Sequence, residues 1–430
     1  MPPPMGLRVT TRSLFALTVF SLVLLPAFDT PGALPSVRLD DLLPFLWLPL
    51  ALRSGLRIPA SRAAQLRLGA LVVLVGAMTL SITIGSFMAF RTSFLDLIQI
   101  VRVVKYILIY LMAYSVFARL PARDDDWLPA FLLRLGVALA VLAVAQYTNV
   151  FRLNELYVQY VAPTQFHTLV GNYPNPRPVG MVGNPNVLGF VFALLALVAY
   201  AKWHDKFGWL WMAAFAVFAS CLALTLSRGA MVALGAGMIA FTTAMLVSGN
   251  LRRAARATLI AVLAISSAAA VLASDAVYEQ VTWRLVRVLD PSADGSWVAR
   301  TFKWEENREL FRSSPMFGVG PLRRSTEIQY TADNEWLLLL RSYGAVGAAI
   351  TALLLWSSLL VKTGHRRALA VAISLACTVF MVPAGVVHSL ALFPLIMVLF
   401  AWTDLDELRR PSSESQGCAS PSERTESYSV

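Results

Sequence analysis

The sequence predicts an all-α, polytopic integral membrane helix bundle, and three observations carry that prediction. Of 430 residues, 57% are hydrophobic and only 14% charged. Mean hydropathy is +0.64. The apolar residues are gathered into runs near the length of ~20 that crosses the hydrocarbon core as a helix. A soluble domain is about a quarter charged and under half apolar, and a disordered chain is poor in apolar residues. Both classes are therefore excluded. A length that would suit two or three soluble domains becomes a count of about a dozen spans.

The runs fall at about 13–28, 42–52, 68–90, 97–118, 127–147, 186–203, 208–226, 229–248, 257–274, 335–360, 368–384 and 387–402. Arg8 and Arg12 precede the first, which resembles a signal sequence; with no small-x-small cleavage site after it, it is expected to stay as an anchor. The second is short and opens on Asp40 and Asp41. The sixth enters from an Asn-Pro-Asn turn, and only Ser227 and Arg228 separate the seventh from the eighth. Asp333-Asn334-Glu335 leads into the tenth. Residues 1–402 thus form one membrane domain, followed by a Ser- and Glu-rich tail, 403–430, expected to be disordered in the cytoplasm.

Orientation follows from the basic residues. The net charge of +11 comes from 36 Lys+Arg against 25 Asp+Glu. In a soluble protein this would suggest nucleic acid; in a membrane protein it is first a topology signal. With a cytoplasmic N-terminus, the inner loops collect Arg53, Arg57, Arg62, Arg67, Arg119, Arg123, Lys202, Lys206, Arg252, Arg253, Arg256, Lys362, Arg366 and Arg367. The shorter outer loops hold Arg38, Arg91, Arg152, Arg177 and Arg228. Both termini are therefore expected inside. The two long loops, 148–185 and 275–333, fall outside. The second carries an amphipathic stretch from Trp297 to Phe311 that would lie at the lipid interface or cap the bundle.

Soluble-enzyme motifs are missing from the sequence: no Walker loop, GxSxG or HExxH. The three cysteines suggest no disulfide framework. The four histidines, His167, His204, His365 and His388, are scattered, so neither a metal site nor another cofactor is expected. Attention passes to charges in or beside the bilayer, which are costly and functional by default. Arg177 precedes Asn184-Pro185-Asn186, where Asn184 reads as an N-cap with Pro185 at the first helical position. That turn is either an ordinary cap or an anion site at a helix N-terminus. Arg228 lies in a connection so short that it must sit at the outer boundary, by snorkelling or as a ligand group. Asp333 and Arg341, eight residues apart, are expected on one helix face with Arg341 roughly 12 Å deeper. Arg102 and Lys105 share a face of the fourth span, either snorkelling or holding a phosphate. All four clusters fall on the outer side. Guanidinium groups match phosphate oxygens in pairs, so the inferred ligand is a lipid-linked phosphate or pyrophosphate.

These motifs resemble the O-antigen ligase/polymerase family of bacterial membrane proteins over about residues 170–350. Arg177 with Gly180, Asn184-Pro185-Asn186 and Gly189 is similar to the family's Arg-x-x-Gly and Asn-Pro-Asn segment. Thr225 with Ser227-Arg228-Gly229-Ala230 resembles its Ser-Arg-Gly segment, and Trp304 to Gly320, ending Ser-Pro-Met-Phe-Gly-Val-Gly, resembles its Pro-Leu-Phe-Gly-Val-Gly loop. Asp333-Asn334-x-Trp336-Leu337, with Leu340, Gly344 and Gly347, follows the spacing of its His-Asn-x-Tyr-Leu segment. Asp333 stands where the ligases place His, which favours a polymerase of repeat units for exopolysaccharide, capsule or O-antigen.

The resemblance implies a GT-C-like bundle of about twelve helices in the bacterial inner membrane, with catalysis on the outer face. It implies undecaprenyl-diphosphate-linked oligosaccharide donors and no metal. Arg177 and Arg228, with Arg341, would stabilise the leaving diphosphate. Asp333 would accept or orient the acceptor hydroxyl, and Asn334, Asn184, Asn186, Arg102 and Lys105 would contact substrate. A flippase and a chain-length regulator are expected partners; nucleic acid is not. The rivals are a ligase of finished glycan, a glycosyltransferase with a lipid-monophosphate donor using Asp40 and Asp41, and a non-enzymatic flippase or transporter. Asp40 and Asp41 are read first as capping the second span.

Overall fold

The computed structural model describes residues 5–26, 37–88, 93–121, 124–161, 165–171, 176–248, 295–322, 333–360 and 365–405. Among these the secondary structure is helical: α1 (Met5–Leu24), α2 (Leu39–Ser54), α3 (Arg62–Phe87), α4 (Phe94–Phe117), α5 (Trp127–Thr148), α6 (Leu153–Tyr160), α7 (Phe166–Leu169), α8 (Pro185–Lys206), α9 (Trp209–Leu224), α10 (Arg228–Val247), α11 (Gly295–Ser313), α12 (Glu335–Trp356), α13 (His365–Phe380) and α14 (Leu392–Thr403). Among the described residues, six helices are long and apolar enough to cross a membrane: α3, α4, α5, α8, α10, and α12 with its extension to Leu360. Shorter apolar helices run through Thr11–Leu24, α9 and α14. The expected span at 257–274 lies outside the described residues, as do 406–430 of the expected tail. Every other expected run is a helix, although α2, broken by Pro44 and Pro49, and α13 are not among the long apolar ones.

Two boundaries differ from expectation. Ser61 caps α3, its hydroxyl accepting from the backbone N–H of Ala64 at 3.2 Å. Arg67 therefore lies inside the helix and is fully buried, where an inner-loop position was expected. Its charge is met by Asp404, which also accepts from the Tyr110 hydroxyl at 2.6 Å. The last two helices are separated by turns over 381–391 rather than by a tight link. Pro383 within that stretch cannot supply a helical N–H.

α8 lies at the centre and is buried along nearly its whole length, which explains why it is apolar all round rather than on one stripe. Phe190 of α8 stacks on Phe380 of α13 with centroids 4.2 Å apart. Charged groups collect at the two ends of the bundle. At the C-terminal end of α8, Lys202 pairs with Asp126 at 2.7 Å, Lys206 with the same carboxylate, Arg366 with Asp125 and Arg12 with Asp124 at 3.6 Å. The other end holds the N-termini of α8, α10 and α12.

α12 is broken at Gly344, where φ is +66°. In an unbroken helix the N–H groups of Ala345 and Val346 would bond the carbonyls of Arg341 and Ser342. They donate instead to Pro315 (2.8 Å) and Met316 (3.1 Å), while the Arg341 and Ser342 carbonyls accept from Val319 (3.0 Å) and Gly320 (3.0 Å). The segment 315–320 is thus inserted into the helix, and these two donors and two acceptors are satisfied again. Irregular backbone at membrane depth survives only where protein supplies such partners. A Cβ at Gly344 would strike the Met316 carbonyl, and one at Gly318 would come within 2.5 Å of the Ser342 carbonyl.

Candidate active site

The segment before α8 is held from below. Gln146 of α5 accepts through Oε1 from the N–H groups of Val179 (3.0 Å) and Gly180 (2.9 Å), and the Tyr157 hydroxyl donates to the Gly180 carbonyl at 2.6 Å. Arg177 is thereby aimed across the top of the bundle. Its Nε donates to the Thr225 carbonyl at 3.0 Å, and its Nη2 to Asn186 Oδ1 at 3.1 Å. Asn184 is the expected N-cap, its Oδ1 accepting from the N–H groups of Asn186 (2.8 Å) and Val187 (3.3 Å), with Pro185 first in the helix. Gly189 lets α8 pass close beneath the α9–α10 link: a Cβ there would lie 2.7 Å from Thr225 Oγ1. Arg228 opens α10 just beyond that link and is exposed. Arg177, Asn186 and the Thr225–Arg228 link, separate in sequence, are therefore one cluster.

The second cluster corrects an expectation. Asn334 caps α12, accepting from the Leu337 N–H at 3.1 Å. Asp333 precedes the cap with φ +49°, so it is not a helical residue and does not share a face with Arg341. It pairs instead with Lys303 of α11 at 3.3 Å and is partly exposed. This also shows what the amphipathic stretch 297–311 does: as part of α11 it packs against α12 and brings an ammonium to Asp333. Arg341 is fully buried, and its Nη2 donates to the Pro321 carbonyl at 3.0 Å.

Lys105 is not presented to a phosphate. It is buried against Asp40 (2.9 Å) and Asp41 (2.6 Å), and Asp40 also pairs with Arg38 at 2.9 Å. The capping expected of this acidic pair belongs to Asp41, which accepts from the Arg38 N–H at 2.7 Å; Asp40 serves the buried ion cluster. Arg102 lies one turn earlier on α4, 3.3 Å from Gln99 Oε1. The two join Tyr106, Tyr343, Val387 and His388 around a small pocket.

His388 is the group that sequence reasoning passed over. Glu335, buried in the first turn of α12, accepts through Oε1 from the His388 N–H at 3.3 Å and contacts its ring Nδ1. The imidazole lies parallel to the Tyr343 ring, centroids 6.2 Å apart. Gly385 and Pro383 fasten the turn. A Cβ on Gly385 would lie 2.8 Å from Glu335 Oε2, and one on Gly229, next to Arg228, would lie 2.5 Å from Pro383. The Glu335 N–H donates to Met381 at 2.8 Å. The 381–391 segment thus links the first turn of α10 to the first turn of α12. The one available signal was a carboxylate directly after Asp333-Asn334, at the mouth of an apolar run. This end of the bundle therefore gathers guanidinium groups, carboxylates and an imidazole, a set able to hold an anion and move a proton.

The O-antigen ligase family model matches residues 212–352. The match takes in α9 to α12, with the Ser227-Arg228-Gly229 link, the inserted segment and Asp333-Asn334. No curated protein matches the chain. Members of the matched family are glycosyl-transferring enzymes acting on lipid-linked glycans. Its apolar helices mark the chain as a membrane protein, and over residues 212–352 it is similar to the O-antigen ligase family.

Proposed function

We propose that the protein is a polysaccharide polymerase that joins undecaprenyl-diphosphate-linked repeat units. It works on the outer face of the bacterial inner membrane, in a GT-C-like bundle of about twelve helices with both termini in the cytoplasm. The supporting observation is the convergence of Arg177 and Arg228 on one link at the end of the bundle opposite the Asp124–Asp126 cluster. That opposite end gathers Arg67, Lys202, Lys206 and Arg366, which the positive-inside rule assigns to the cytoplasm. In this reading the acceptor oxygen bonds to the anomeric carbon, and undecaprenyl diphosphate leaves with the electron pair. Arg177 and Arg228 stabilise the charge that develops on it, and buried Arg341 adds to the field from below. Preorganised cations act strongly in such a site because they need not reorganise. Asp333, held by Lys303, orients the acceptor hydroxyl; Asn184, Asn186 and Asn334 shape the helix ends around it. A flippase would deliver the donor, and a chain-length regulator would set the number of repeats.

A second reading has a specific support: the matching family is described as O-antigen ligase. A ligase would pass finished glycan to a different acceptor through the same site. The test of the common core is glycan transfer by Arg177→Ala, Arg228→Ala and Asp333→Ala at matched membrane levels. Normal product from all three removes this site from consideration.

A further inference from the structure

The Glu335–His388 pair has no role in the steps above, yet it has the form of a proton-transfer device. Glu335 is buried in the first turn of α12 and engages both the main chain and ring Nδ1 of His388. A carboxylate at Nδ1 fixes the imidazole tautomer and orientation, leaving Nε2 as the acceptor nitrogen. The ring is further held parallel to Tyr343. His388 lines the pocket that Arg102, Gln99 and Tyr106 enter from α4. The charged groups that share its contacts or its pocket are Glu335 from α12 and Arg102 from α4. The 381–391 turn that carries His388 passes against Gly229 at Pro383, next in sequence to the arginine proposed to face the diphosphate.

We infer that His388 is the catalytic base for the acceptor hydroxyl and that Glu335 is its positioning residue, an inference that rests on the glycosyl-transfer reading above. As the acceptor oxygen forms its bond to the anomeric carbon, the bond from that carbon to the diphosphate oxygen breaks and its electron pair leaves with undecaprenyl diphosphate. The hydroxyl proton passes to His388 Nε2 and from there to water. The Glu335 carboxylate offsets the imidazolium formed. Asp333 then has only to orient the hydroxyl, which suits a carboxylate shared with Lys303. In this chain an imidazole from the turn before α14 supplies a base at a site whose entry motif carries Asp.

The experiment measures initial rates of glycan transfer by purified full-length protein in liposomes, with lipid-linked repeat units as donor. His388→Ala is expected to lower kcat about 10²–10⁴-fold with the donor KM within about twofold of wild type, as for a group that acts only in the transition state. Added imidazole should restore part of the lost rate. Glu335→Gln should lower kcat less and should not respond to imidazole. His388→Gln, which keeps a polar side chain of similar reach, controls for folding through its thermal midpoint. If His388→Ala keeps wild-type kcat while Arg228→Ala loses it, the base assignment is wrong and the transfer reading stands. If imidazole restores nothing and both His388 variants melt early, the residue is structural and the inference fails. If wild-type protein transfers no glycan, the functional reading fails first and this one with it.

Discussion

Arg177 and Arg228 are held differently, and that difference sets what their substitution should do. Arg177 makes two directed bonds, to Thr225 and Asn186, so it both carries charge and ties the segment before α8 to the α9–α10 link. Arg228 is exposed at the first position of α10. Arg228→Ala is therefore expected to leave stability nearly unchanged and to slow transfer about 10²–10³-fold, the usual effect of deleting one preorganised electrostatic contact. Arg177→Lys should keep part of the rate, since an ammonium retains the charge but not the paired geometry. Rates per mole of folded protein, with a melting curve for each variant, check both. Lys105 belongs to a different class. Lys105→Met would leave Asp40 and Asp41 short of a buried cation, so a loss of about 3–5 kcal/mol of stability is expected. The rate per folded molecule should hold. A large rate loss at unchanged stability would return Lys105 to the substrate. At this scale the sequence was legible where a residue's role is local: Asn184 and Asn334 cap helices because the polar side chain stands directly before an apolar run. It was not legible where the role depends on a distant partner. Nothing beside Lys105 in sequence announces Asp40, and nothing beside His388 announces Glu335, 53 residues away.

Among the elements, α12 shows how an inserted strap takes over part of a helix's hydrogen bonding. The break at Gly344 moves two donors and two acceptors onto 315–320 without leaving them unmet, and it fixes Arg341 beneath the Pro321 carbonyl. Gly344→Ala should be strongly destabilising: φ +66° with ψ −170° is open essentially to glycine alone and costs another residue about 1–3 kcal/mol, and its Cβ would collide with Met316. Gly76→Ala in α3 offers the contrast, with open space around the added methyl and an expected gain of about 0.5–1 kcal/mol from helix propensity. Thermal midpoints of the two variants in the same detergent should move in opposite directions; a neutral Gly344→Ala would mean that the break is not required. The helices themselves were readable because apolar length is a property of each segment alone. The break was not, since it follows from hydrogen bonds between segments. The same holds for Asp333, which periodicity placed on a helix face and which the chain turns out of the helix before the cap.

Across the whole molecule, the basic residues divide by function. Those meeting Asp124, Asp125, Asp126 and Asp404 close one end of the bundle with ion pairs. Arg177, Arg228 and Arg102 stand at the other, which also holds the helix start with Asp333 and the Glu335–His388 pair. The alternation of basic and sparse loops made that division visible in the sequence, because topology is set by loop charge. The grouping of residues within the second end was only partly visible, because it depends on the turn at 381–391 reaching both α10 and α12. Glycosyl transfer from a lipid diphosphate is tested by giving the purified protein in liposomes lipid-linked repeat units as sole substrate. A ladder of longer lipid-linked chains is expected, with undecaprenyl diphosphate released for each added unit. Growth only after a second, different acceptor is supplied would make the protein a ligase. Movement of the donor across the bilayer with no new glycosidic bond under either condition would make the protein a transporter and not a glycosyltransferase.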